Sequence, residues 1–326
     1  MSSRLVALML ALAAAVLLSP ARAAAGQEGG RGVPLPPSEC PDGTDPMAFY
    51  KCALGKVKTA TPPRAADGTP DFSGAWRRRS SAAHEDVEEH PRNPDDAGGP
   101  SVIVDPADGK VPMQPWADAR RLAHARTVEH PTSTEQQYLH HNAVCYQSGV
   151  PGTLYMVGFF EFVQNRDYLT ILSEEAHTYR IIPLDGRPHV GKEISLFQGD
   201  PVGRWEGNTL VVETTNLNGL TWLDQRGRFV TEDVKVTERF AFVDPNTLLY
   251  TATIDDPNVY TRPFTMAHSF RRAVAPAPAI VEEPCHEGNV ESMRDFNSAG
   301  LEVFPGISAR QARELRSAWE AREKQR

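Results

Sequence analysis

Beyond Cys145 the chain is a succession of short β-branched and aromatic runs, each closed by a turn signal, and that rhythm leaves few folds open. It predicts strands over Leu154 to Gln164, Tyr168 to Ser173, His177 to Leu184 and Gly203 to Trp205. Four more follow over Thr209 to Asn216, Asp233 to Val243, Thr247 to Asp255 and Arg262 to Arg271. Glu206-Gly207-Asn208 and Asp244-Pro245-Asn246 accept turn dihedrals between alternating apolar runs, so each closes a hairpin. Sequential hairpins make the sheet antiparallel and the fold a mainly β meander or barrel.

Helices are expected in two places. Pro115 to His130 opens with a proline suited to a first turn and repeats Trp116, Ala119, Leu122 or Ala123, and Arg126 at helical spacing. Ser308 to Arg326 begins with Ser308 and Gln311, a capping-box pair, and carries Ala312, Leu315 and Trp319 as a narrow apolar stripe. That helix is expected to pack on the sheet or on a partner, including a second copy of the chain. Ser80 to Pro100 is polar and reads as an exposed loop, and the segment APAPAIVEEP after Val274 as a linker.

Met1 to Ala23 has the parts of a secretory signal: Arg4, an apolar run from Leu5 to Leu18, and Ala21-Arg22-Ala23 as a small-x-small cleavage site. The expected organisation is a signal over 1–23, a flexible leader with a short cysteine-containing segment over 24–62, a barrel domain over 63–290 with the helical insert, and a helical tail over 291–326. The apolar run is short for a membrane span, and no later stretch is continuously apolar for about 18 residues, so no membrane anchor is expected and the location is periplasmic or secreted. A formal net charge of -8 without a cationic cluster argues against a nucleic-acid partner. The four cysteines suit disulfides in an oxidising compartment: Cys40 with Cys52 in a short loop, and Cys145 with Cys285 across the main domain. Free or metal-binding thiols are the alternative, although no C-x-x-C spacing is present.

Side chains two apart on a strand share a face, so polar residues in phase with apolar ones point inward. Val234, Val236, Phe240 and Phe242 carry Glu238 with them; Phe264, Met266 and Phe270 carry Arg262 and His268. Two readings are open. Glu238 and Arg262 form a structural ion pair beside His268, or Glu238 or His268 is a general base and Arg262 stabilises developing negative charge. His189 is a further acid–base candidate and Tyr179 a further anion or hydroxyl binder, while His140, His141, Arg180, Asp185, Trp205, Phe160 and Tyr260 are substrate-binding candidates. The Asp185-Gly186 pair also reads as a plain turn, with Arg187 and His189 solvated beyond it.

Adjacent His140 and His141 have no zinc-ligand spacing, and no metal site is expected. The chain has no G-x-S-x-G elbow, no P-loop and no dinucleotide glycine fingerprint, so chemistry is expected without an organic cofactor.

The phrases PRAADGTPDFSGAW, VPMQPWADARR, CYQSGVP, RIIPLDGRPH, GDPVGRWEGNTLVVETTN, TWLDQRGRF, VTERF, DDPNVYTRPF and PCHEGN run from about Pro63 to Asn289. In kind and order they resemble a large family of exported bacterial proteins of mostly unassigned activity. The resemblance implies a lipocalin-like, calycin-type barrel, with Gly74-Ala75-Trp76 similar to the glycine-x-tryptophan that opens lipocalin barrels. It also implies a shared site or scaffold role for Arg180, Asp185, His189, Trp205, Glu238, Asp256, Tyr260, Arg262, Cys285 and His286. The chain departs from the pattern with His140 and His141 before its central cysteine, with the polar YQS, and with Phe264 where tryptophan is usual. Together these lead to an exported, cofactor-independent acid–base lyase, isomerase or hydrolase holding an aromatic or other partly apolar molecule in a barrel cavity. The alternative is a non-catalytic carrier of a hydrophobic ligand.

Overall fold

A strand with one apolar face must bury that face, and consecutive hairpins do so most simply by curling into a barrel. The computed structural model describes residues 35–42, 45–79, 83–92, 98–129, 138–155, 158–274, 280–281, 283 and 285–326. The expected signal, the leader up to residue 34 and most of the linker lie outside these residues. In chain order the elements are α1 (Pro46–Lys56), β1 (Gly74–Arg78), β2 (Ile103–Asp105), α2 (Pro115–Glu129) and β3 (Tyr138–Leu139), then β4 (Phe160–Gln164), β5 (Tyr168–Ser173), β6 (Tyr179–Pro183) and β7 (Asp200–Glu206). There follow β8 (Thr209–Thr215), β9 (Lys235–Asp244), β10 (Thr247–Asp255), β11 (Phe264–Arg272), α3 (Cys285–Ser298), β12 (Glu302–Val303) and α4 (Ala309–Glu323).

The main sheet runs β6-β5-β4-β1-β11-β10-β9-β8-β7, antiparallel throughout, with β2 added alongside β11. The protein is therefore mainly β, a nearly closed antiparallel barrel of nine strands. Both predicted turns close hairpins, β7 to β8 and β9 to β10. No backbone ladder joins β6 to β7 among the described residues, so this is the barrel's seam. Side chains close it instead. A Cβ on Gly203 of β7 would lie 2.7 Å from Leu184 Cδ2 and 3.0 Å from Ile182 Cγ2, so only a glycine admits so near an approach.

The interior is a packed core rather than an open chamber. Phe160, Phe162, Phe240, Phe270 and Trp76 fill it with their rings in contact. Trp76 Nε1 donates to the Phe72 carbonyl at 2.8 Å, and the Arg272 guanidinium lies 4.3 Å over the Trp76 ring centroid. A second apolar layer forms outside the barrel, where α1 sets Phe49 and Ala53 against Val104, Val243, Leu249 and Ala267. This helix is not evident from apolar periodicity, yet Asp45 caps it by accepting from the Ala48 N–H and Pro46 opens it.

Both expected disulfides are present, Cys40–Cys52 across 12 residues and Cys145–Cys285 across 140. They fit an extracellular or periplasmic protein. No helix of the described residues is long and apolar enough to cross a membrane. The C-terminal helix α4 begins with the complete Ser308–Gln311 capping box and buries Ala312, with Trp319 packed on the core. In α2 the buried face is Trp116, Ala117 and Ala125, whereas Leu122 of the expected stripe is exposed. The Ser80 to Pro100 stretch departs from the exposed loop expected of its polarity. Within it Ala83 and Val87 are fully buried, and Asp86 and Glu88 close with Asp224 around Arg228. Two of its acidic residues thus pair with a buried cation.

Candidate functional site

Two polar clusters bear on the candidate residues, one inside the barrel and one around Trp222. Inside, Glu238 of β9 sits between Val212 of β8 and Ala252 of β10, and the small alanine leaves room above the carboxylate. Arg180 enters from β6 and grips Glu238 with both terminal nitrogens; Nη1 donates to Oε1 at 2.9 Å and Nη2 to Oε2. The same Nη2 donates to Thr214 Oγ1 at 2.7 Å, and the Tyr250 hydroxyl donates to Glu238 Oε1 at 2.9 Å. All four side chains are buried. The pair joins β6 to β9, with β7 and β8 between them, across the seam that lacks a ladder.

This corrects the expected partner. Arg262 is exposed and binds Asp105 through Nη2 at 3.0 Å, outside the barrel. Pro263 explains the difference: it carries no N–H for a ladder, so β11 begins at Phe264 and the inward phase does not extend back to Arg262. His268 does point inward, stacked at 5.4 Å on Tyr155, and burial together with the charge of Arg78 lowers its pKa to about 3. Tyr179 is 63% exposed, because its neighbour Arg180 takes the inward position and adjacent strand residues face opposite ways.

The remaining candidates are dispersed. His189 is clamped on the outer surface, Nδ1 2.9 Å from Asp200 Oδ2 and Nε2 3.4 Å from Glu213 Oε1. Asp185 is exposed and paired to Arg187, whose hydrogen bonds hold its carboxyl below the usual carboxylate range. Trp205 stacks on Phe72 at 5.6 Å, and Phe160 belongs to the barrel core. The Tyr260 hydroxyl donates to the Phe229 carbonyl at 2.7 Å. Beside Arg180, the plug formed by Gly149, Thr153 and Leu154 leaves a void of only about 10 Å³, room for one water at most. The interior cluster is thus out of a ligand's reach.

The second cluster has space. Residues of α2, β3, the Trp222–Phe229 segment and Phe304 surround a cavity of about 210 Å³ lined by Arg120, Arg121, His124, Tyr138, Trp222, Gly227, Phe229 and Phe304 among others. Trp222 is its centre: His124 lies 4.2 Å from it, Phe304 5.1 Å and His140 5.8 Å between ring centroids. Gly227 has φ +82°, and a Cβ there would fall 2.6 Å from His124 Cδ2, so the glycine makes room for that imidazole. His140 and His141 stand 3.8 Å apart behind Trp222, and the Trp222 N–H donates to His141 Nδ1 at 3.4 Å. That bond places the His141 proton on Nε2.

Burial keeps these imidazoles neutral. His124 falls to about 4 and His141 to about 3; His140 falls well below its usual value through burial and the neighbouring His141, His84 and His124. His140 and His141 were legible as unusual neighbours, and Trp222, Gly227 and Phe229 sat in a recognisable phrase. His124 left no signal beyond lying on a predicted helix.

A carboxyl near neutrality lies next to this group. Ser148 Oγ is 3.1 Å from both Asn142 Oδ1 and Glu175 Oε1, and a hydroxyl has one proton to give. Ser148 donates to Glu175, and burial outweighs that bond to raise the Glu175 pKa to about 7. The next two residues, Ala176 and His177, both have left-handed backbone at φ 49° and 51°. Among the described residues no group of three or more His, Cys, Asp or Glu is placed to hold a metal ion. The chain matches no model of a known protein family, and no curated protein is significantly similar to it.

Proposed function

We propose that the protein is exported through its N-terminal signal, with cleavage after Ala23, and binds a small, partly apolar, ring-bearing molecule in the Trp222 cavity outside the barrel core. The observation that carries this reading is the meeting of an aromatic cavity of about 210 Å³ with a neutral imidazole, His124, seated against Trp222. A cavity of about 150 Å³ takes up benzene, so this volume has room for one substituted ring. An imidazole lowered to about 4 is neutral at pH 7 and a weak proton acceptor, which favours binding over acid–base turnover.

Catalysis is the second reading. It is favoured by the same imidazole, since a neutral base beside a bound ring needs only a substrate charge to raise its affinity for a proton. The chemistry would be cofactor-independent lyase, isomerase or hydrolase chemistry at His124 rather than at Glu238 or His268.

Both readings are tested by incubating the purified mature protein with a panel of one- and two-ring metabolites and following depletion and product by mass spectrometry, alongside calorimetric binding. Saturable binding without product supports the carrier. Product formation that His124→Gln abolishes supports the enzyme. A panel that neither binds nor reacts discards the cavity as a site.

A further inference from the structure

The geometry points to an aromatic carboxylate as the ligand of the Trp222 cavity, its ring against Trp222, Phe229 and Phe304 and its anionic group at Arg120. The inference rests on the binding reading and adds the ligand's charge. Three observations carry it. First, the described lining holds two arginines, Arg120 and Arg121, and no carboxylate, on a chain whose formal net charge is -8. A locally positive cavity in an acidic protein is an exception that selects for anions. Second, the two arginines are not equivalent. Arg121 is already bound to Asp118, with Nε and Nη2 both 2.8 Å from Oδ1. Arg120, one residue earlier on α2, has no ion-pair partner among the described residues and is exposed at the cavity. Third, the opposite wall is made of flat rings, with Trp222 and Phe304 at 5.1 Å and Phe229 and Phe304 at 6.0 Å between centroids. Such a wall favours a planar ligand over a branched aliphatic one.

The shape of the ligand follows from these distances. A single ring with a carboxylate on its edge fits a space of about 210 Å³, with the neutral His124 ring on the wall beside Trp222. A guanidinium fork recognises a carboxylate through two parallel hydrogen bonds, which gives orientation as well as attraction. Arg120 is exposed, so the attraction weakens as salt rises.

The test compares benzoate with benzamide, which match in size and planarity and differ in charge. Binding to the purified mature protein is followed by tryptophan fluorescence and calorimetry at low and high salt. Benzoate is expected to bind roughly fivefold or more tightly than benzamide, with the gap narrowing in salt and closing in Arg120→Ala. Because Arg120 is exposed and bonded to nothing in the described fold, that variant keeps its folded spectrum. Equal affinity for the two compounds, unchanged by Arg120→Ala, overturns the carboxylate assignment while leaving the cavity as a binding site. Absence of binding by either compound, and by the wider panel of aromatic metabolites, overturns both.

Discussion

The barrel interior and the surroundings of the Trp222 cavity solve the same problem, polar groups out of water, in opposite ways. Inside, Glu238 accepts from Arg180 and Tyr250, and Thr214 takes a further Arg180 bond, so the cluster is paired and sealed, with only Arg180 Nε lacking a partner among these bonds. Around Trp222, His124, His140 and His141 escape the burial penalty by staying neutral, and one of them lines the cavity. Satisfied charge holds a structure together, whereas neutral but hydrogen-bonding groups beside empty space can meet a ligand. Polar burial alone does not identify a site; access does.

The largest effect is expected from breaking the sealed pair. Arg180→Met leaves Glu238 buried without its counter-charge and is expected to cost about 3–5 kcal/mol in urea unfolding, with faster amide exchange in β6 and β7. Adding Glu238→Gln is expected to restore part of that loss, and ligand binding by the folded fraction stays unchanged. A loss of binding as large as the loss of stability would erase the distinction between the two regions.

Gly227→Ala acts on the other side of the comparison. Its Cβ would strike His124 and must adopt a positive φ, so we expect about 1–3 kcal/mol of destabilisation and loss of binding in the Trp222 cavity. Retained binding would place the ligand elsewhere.

The pH dependence sharpens the contrast further. Glu175, raised in the fold from the ordinary 4.5 to about 7, holds its proton more tightly folded than unfolded, so its contribution to stability is complete below pH 4.5 and is lost as pH rises toward 7. Glu175→Gln is therefore expected to stabilise the protein by about 1–3 kcal/mol above pH 7 and to change little at pH 4.5, as read from denaturant midpoints. The lowered histidines slope the other way. His141 is neutral in the fold down to about pH 3, so its contribution is complete above pH 6.5 and declines as pH falls below that. His141→Asn should flatten the acid limb by up to about 1.4 kcal/mol per pH unit. At the bottom of the scale, Arg262→Gln removes only an exposed pair and is expected to shift stability by less than about 0.5 kcal/mol.

Much of the wall of this barrel was legible because strands and hairpins are written locally. The alternation in β9 and β10 and the turn at Asp244-Pro245-Asn246 set both the pairing and the inward direction of Glu238. The capping box of α4 and both cysteine pairings were equally readable. The interior partner was not, since Arg180 and Arg262 are both arginines on or beside strands, and only the closure of the ring at the β6–β7 seam brings one of them to Glu238. The cavity was less legible still. His124 on α2, Trp222 before a left-handed glycine and Phe304 after β12 share no periodicity and lie far apart in the chain.

By itself, then, the sequence determined the β7–β8 and β9–β10 hairpins and the inward direction of Glu238 and His268, because these depend on spacings of two to four residues. Tertiary structure alone decided which charges meet, which histidines lose their protons and where space is left over. Those outcomes depend on burial and distance between remote segments, and a linear pattern contains neither.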